Sequence, residues 1–132
     1  MKYLCLICAD TMMEHMSEER ANQHYADYRK FIEEIQRSGH YVTCNRLQVP
    51  ETATTVRVRN GKVSTTDGPF VETKEQLGGY FVIEAKDMRE ATGIAARIPG
   101  AWHGCVEVRP IADDERTLTG LGLAETDAQR PI

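Results

Sequence analysis

The chain lacks an apolar run of the roughly 18–20 residues that a membrane span requires. Its opening segment, Met1-Lys2-Tyr3-Leu4-Cys5-Leu6-Ile7-Cys8-Ala9, has the length of a strand, and Asp10 ends it without a cleavage region. A cytoplasmic protein with no membrane association is therefore expected. It also lacks a basic patch, since 16 Lys and Arg are scattered among 20 Asp and Glu. A phosphate-backbone binder clusters its cations to displace counterions, so direct nucleic-acid binding is not expected. Nucleophile elbow, Walker loop, dinucleotide glycine fingerprint and HExxH helix are all missing. Neither a cofactor nor a metal is expected. The 4 cysteines do not suggest a chelate. Cys5 and Cys8 fall in a predicted strand, where residues three apart point to opposite faces. Cys44 and Cys105 fall in other predicted strands, and all four read as buried, reduced thiols.

At 132 residues the chain makes one domain with one core. A first strand over residues 2–9 is apolar on both faces. A loop with Met12, Met13, His15 and Met16 follows. Ser17 then reads as an N-cap, with Glu18 and Glu19 favoured in the first turn and Gly39 as the stop. The stripe Ala21, Tyr25, Tyr28, Ile32 and Ile35 forms the expected buried face of this helix, with Phe31 at its margin. A strand over residues 41–49 closes at Pro50. Two further strands flank Asn60-Gly61, a pair suited to a type I′ turn, which sets Val58 opposite Val63 and Arg59 opposite Lys62. Tyr80 to Ala85 is another strand apolar on both faces. Asp87 caps a second helix with Met88, Ala91, Ala95 and Ile98 inward, and residues 105–109 make the last strand.

This order predicts an α+β, ferredoxin-like βαββαβ sandwich with an extra β-hairpin. Two helices cover one face of such a sheet, so the apolar second face predicts a homodimer with sheets face to face. The domain is expected over residues 1–112. Residues 113–132 read as a tail, disordered or packed on a partner.

The densest local signal is Asp67-Gly68-Pro69-Phe70-Val71-Glu72-Thr73-Lys74-Glu75-Gln76-Leu77-Gly78-Gly79. With the opening Lys2-Tyr3, the hairpin entry Ala53-Thr54-Thr55-Val56-Arg57 and the closing Val106-Glu107-Val108-Arg109-Pro110-Ile111, it resembles the DGPF branch of the YCII-related proteins. The resemblance runs from Met1 to about Ile111. It implies a dimeric α+β barrel, kinship with muconolactone-isomerase-like and chloromuconolactone-dehalogenase-like proteins, and frequent encoding beside extracytoplasmic-function sigma factors. For the wider family it implies a His/Asp catalytic dyad.

Two residues are the catalytic candidates. His24 falls on the helix face of Ala21, Tyr28, Phe31 and Ile35, where an imidazole can act as acid or base near neutral pH. Its plain alternative is a core-edge histidine satisfied by a carbonyl or a tyrosine hydroxyl. Asp67 can orient an imidazole, or simply cap its own Gly-Pro turn. Tyr28, Arg57, Glu72, Lys74, Tyr80 and His103 are the ligand-binding candidates. For Arg57 and Arg59 the alternative is keeping an edge soluble, and for the Glu72–Glu75 run a solvated surface. Gly78-Gly79 can admit a close approach or offer N–H groups to an anion. The two functional readings are a cofactor-independent lyase, isomerase or dehalogenase-like enzyme on a small organic acid, and a ligand-binding accessory protein of a sigma-factor circuit. A third leaves the DGPF loop as a dimer buttress.

Overall fold

The computed structural model describes residues 1–9, 16–71 and 75–123. Eight of its elements are strands or major helices: β1 (Lys2–Ala9), α1 (Glu18–Arg37), β2 (Tyr41–Arg46), β3 (Thr54–Arg59), β4 (Lys62–Asp67), β5 (Gln76–Glu84), α2 (Met88–Ala95) and β6 (Cys105–Pro110). Single 3-10 turns occupy Pro50–Thr52 and Pro99–Trp102, and a short helix α3 spans Glu115–Gly120. β2, β5, β1 and β6, in that order, form one antiparallel sheet. The strand order and the α+β layering are those of a ferredoxin-like fold. β3 and β4 pair only with each other, as a separate hairpin.

Local chemistry accounts for the helix ends. Ser17 Oγ accepts from the Arg20 N–H at 3.2 Å, and Asp87 accepts from the Glu90 N–H at 2.8 Å. Glu90 Oε1 in turn accepts from the Lys86 N–H at 3.2 Å, one residue earlier than a regular capping box. The Asn60-Gly61 turn has φ of 53° and 74°, and its register is Val58 to Val63 and Arg59 to Lys62, as the two-residue loop requires.

The core lies between the helices and one face of the sheet. Tyr3, Cys5 and Ile7 of β1 and Phe81 and Ile83 of β5 meet Phe31 and Ile35 of α1 and Ala91, Ile94, Ala95 and Ile98 around α2. Alternation puts Leu4, Leu6, Tyr80 and Val82 on the other face, where Val82 is buried and Leu4, Leu6 and Tyr80 are half-buried.

Several expectations change. Phe31 is central to the α1 face and only 3% exposed, whereas Tyr25 is 43% exposed because the buried stripe is rotated toward residues 28, 31 and 35. Met88 is exposed, and Ile94 takes its inward place on α2. β2 ends at Arg46 and β5 begins at Gln76, so Gly78 and Gly79 lie within a strand and do not form an anion loop. Gly79 is required there because a Cβ would stand 2.8 Å from the Asn45 carbonyl oxygen of β2. A short helix opens the expected tail: Asp114 accepts from the Thr117 N–H at 3.0 Å and caps α3. The cysteines are less uniformly buried than expected: Cys5 is buried, Cys8 and Cys44 half-buried, and Cys105 exposed. The expected loop residues Met12, Met13 and His15 lie outside the described residues.

Ile83 is fully buried, whereas Val63 is 69% exposed on the hairpin. Ile83→Ala is expected to lower the unfolding free energy by about 2–5 kcal/mol. Val63→Ala should change it by less than about 0.5 kcal/mol, both read from urea midpoints at constant slope.

Candidate functional site

A cavity of about 290 Å³ opens between α1, the ends of β1, β2 and β5, and the turn after α2. Its walls are mainly apolar: Ile7, Ile32, Phe81, Leu47, Val49 and Leu77. The size sits near the lower bound for small-molecule sites. His24, Tyr28 and His103 meet at one end of the cavity, and Asn45, Arg46, Gln48 and Gln76 are further polar residues of the lining.

A file of rings connects the core to that end. Phe31 is edge-on to Phe81 at 5.3 Å, and Phe81 is parallel to Tyr28 at 6.3 Å. Tyr28 is edge-on to His24 at 5.0 Å, and His24 lies 5.8 Å from His103. These separations are those of favourable aromatic pairs. Helical spacing makes the first half of the file, since residues 24, 28 and 31 share one face of α1. The 3-10 turn Pro99–Trp102 supplies the rest by carrying His103 up to His24. The Gly100 N–H donates to the Tyr28 hydroxyl at 3.0 Å, which locks the turn to the helix. Gly100 is needed for that approach, because a Cβ would stand 2.7 Å from the same hydroxyl. Having accepted this bond, Tyr28 keeps its own O–H to donate into the cavity.

Electrostatics favour a neutral imidazole. Partial burial, followed by the charge His103 gains on protonation and by Arg46, holds His24 below its ordinary value of 6.5, against the opposing pull of Asp27. Burial raises the Tyr28 hydroxyl, partly offset by the Gly100 N–H. At neutral pH the site thus presents a free imidazole beside a protonated phenol. That combination can accept one proton and donate another. Arg46 also lines the cavity, with Nη1 donating to the Tyr25 hydroxyl at 2.8 Å, and places a cation in its wall. Among the described residues, no group of three or more His, Cys, Asp and Glu side chains is placed to hold a metal ion.

The structure brings His24, Tyr28 and His103 together and, within the chain, leaves Asp67, Arg57 and Tyr80 outside the cavity lining. Asp67 ends β4 opposite Thr54, is exposed, and is not among the cavity-lining residues. It precedes Gly68, whose N–H donates to the Ala53 carbonyl at 2.7 Å and whose carbonyl accepts from Thr55 Oγ1 at 2.8 Å, closing the hairpin base. Arg57 lies over the Phe70 ring at 5.1 Å on the same hairpin. Tyr80 is on the opposite sheet face and accepts from Asn45 Nδ2 at 2.9 Å. Glu72 and Lys74 lie outside the described residues. Sequence reasoning missed Arg46, Gly100 and the Leu47–Pro50 wall. The early Pro50 stop after β2 was the one local sign of that wall.

An antiparallel sheet of this order, helices on one face and a cavity under the first helix define a small ferredoxin-like α+β domain with room for a ligand. The YCII-related domain matches residues 1–114, and the chain belongs to that family. It is similar to an uncharacterized protein of Rhizobium meliloti (strain 1021), at 37% identity over 86 residues. The match covers 64% of this chain and 66% of that protein, so the chain spans just under two thirds of the relative's length. No described helix is long and apolar enough to cross a membrane.

The lowered value of His24 has a direct test. Its ring protons should titrate below 6.5 in an NMR pH series, and His103→Ala should move the midpoint upward. Because the unfolded chain binds this proton more readily, His24 lowers folding stability as pH falls from 6.5 through the folded value, and leaves it unchanged above 6.5.

Proposed function

We propose that this YCII-related protein binds a small organic acid in the cavity under α1 and moves a proton on it without a cofactor, as a lyase, isomerase or dehalogenase-like enzyme does. The observation that carries this reading is the convergence of His24, Tyr28 and His103 in the wall of a mainly apolar cavity. In the proposed mechanism Arg46 receives the carboxylate and the neutral His24 removes the adjacent proton. Tyr28 donates to the oxygen or leaving group where charge develops. Apolar walls keep water out and strengthen those interactions.

The sequence-derived His24 and Asp67 pair enters this proposal through the dimer. Within one chain Asp67 stands on the exposed hairpin, so its delivery to an imidazole falls to a second copy. Support for a homodimer comes from the half-buried Leu4 and Leu6 on the uncovered sheet face and from the exposed Val56, Val58 and Val63. Asp67-Gly68-Pro69-Phe70 supports placement in the DGPF branch, and the lack of a spanning helix among those described is compatible with a cytoplasmic location. The position of Asp67 also favours a second reading, a non-catalytic ligand-binding protein of a sigma-factor circuit, because among the described residues no carboxylate lines the cavity.

The two readings separate in one experiment. The protein is incubated with a panel of small unsaturated and α-substituted carboxylates, with melting temperature and product both followed. Turnover is expected, and His24→Gln should reduce it by at least about 10²-fold while leaving the melting temperature of the free protein unchanged. Stabilisation by a carboxylate without any product would support the binding reading. Full activity in His24→Gln would remove His24 from the mechanism.

A further inference from the structure

We propose that Cys8 and Cys105 form a reversible cross-strand disulfide, a site of thiol oxidation by hydroperoxides at the corner of the sheet. The two residues are direct partners on the last rung of the β1–β6 ladder. Both are free thiols; Cys8 is half-buried and Cys105 exposed. Side-chain alternation puts them together on the face away from the helices, while Cys5 points into the core.

The register tells how well a bond would fit. The Ile111 N–H donates to the Lys2 carbonyl at 2.9 Å, so that rung is hydrogen-bonded. Stepping by two along the ladder, Leu4 with Arg109, Leu6 with Glu107 and Cys8 with Cys105 fall on rungs of the same type. Cα atoms at such rungs stand about 5.5 Å apart, inside the ~4.4–6.8 Å range of disulfides. Cβ atoms directly opposite stand about 4.5–5.5 Å apart, with hydrogen-bonded rungs at the wide end, whereas a disulfide draws them to about 3.8 Å. The bond can therefore form, but under strain. Strained and exposed disulfides are the ones readily reduced again.

The surroundings set its pace. Cys105 Sγ donates to Glu75 Oε2 at 3.5 Å, and that bond raises its pKa. Burial, then Glu107 and Glu75, raise Cys8. Glu107 in turn pairs with Arg109 Nε at 3.8 Å. At neutral pH both groups are mostly protonated, so the pair responds to sustained oxidant and not to brief exposure. Burial pushes Cys5 up to about 11 and leaves it the less reactive thiol.

The chemistry balances with a hydroperoxide as oxidant. The Cys105 thiolate attacks one peroxide oxygen, the O–O bond breaks, and the departing oxygen leaves as water or alcohol. The resulting sulfenic acid is attacked by the Cys8 thiolate, which forms the S–S bond and expels water. Two thiols have then given up two protons and two electrons to the peroxide. A dithiol reductant reverses the step by exchange. The bond would also tie two walls of the cavity, since Cys8 lies between Ile7 and Ala9 and Cys105 follows His103 by two residues.

The test treats the full chain with hydrogen peroxide, alkylates free thiols, and maps peptides by mass spectrometry without reduction. A linked Cys8–Cys105 peptide is expected in chains that run as monomers on a denaturing gel, with Cys5 and Cys44 alkylated and all four thiols recovered by dithiothreitol. Cys105→Ser should abolish the link and leave Cys8 alkylated. Persistence of both free thiols, separate oxidation of each to a sulfinic acid, or a bond joining two chains would overturn the proposal.

Discussion

The packing of α1 across β5 through three rings is the interaction on which the rest of the molecule depends. Phe81 stands between Phe31, edge-on, and Tyr28, parallel to it, so one side chain of the sheet fixes both the height and the rotation of the helix. Once that rotation is set, His24 must lie one turn further toward the N-terminus and at the end of the same file. The Gly100 N–H on the Tyr28 hydroxyl then extends the constraint to the turn after α2. Core and cavity are therefore not separate regions. The cavity is the place where the file of rings outruns the aliphatic packing, between residues 24–32 of α1 and the early end of β2.

Strand and helix identities were legible because each has a local cause. Ser17, Asp87 and Asn60-Gly61 act within a few residues, and their bonds and φ values are those their chemistry demands. Where a long-range contact decides, the sequence misleads. Gly78 and Gly79 look like loop residues, yet at position 79 the approach of the Asn45 carbonyl makes glycine the residue that lets β5 continue. The α1 stripe was misjudged by one step for a similar reason. Helical spacing names a face about 100° wide, and only Phe81 decides that Phe31 sits at its centre while Tyr25 turns to solvent and bonds Arg46.

The candidate site was half legible. His24 and Tyr28 follow from one helix and can be read by counting. His103 is 79 positions away from His24 and reaches it only because Pro99 starts a 3-10 turn whose third dimension no spacing rule contains. Asp67 is a different case. A carboxylate in the most specific motif invites a catalytic role, but the hairpin base explains much of that motif through Gly68 and Thr55. Membership in the YCII-related family fits the fold and adds no chemistry by itself, since the relative it resembles is uncharacterized.

The β3–β4 hairpin has a consequence for how the molecule moves. Its strands pair with each other and with no strand of the four-stranded sheet, and its residues are almost all exposed. Opening its ladder therefore uncovers little apolar surface, whereas opening β1 or β5 uncovers the core. Amide protons on Val56 through Thr65 would exchange through local opening long before the chain unfolds as a whole. Residues 53–68 are thus expected to open locally at a lower free energy than the main sheet, with the Gly68–Ala53 hydrogen bond at their base. Insertions at the hairpin tip would lengthen the arm without altering a rung of the main sheet.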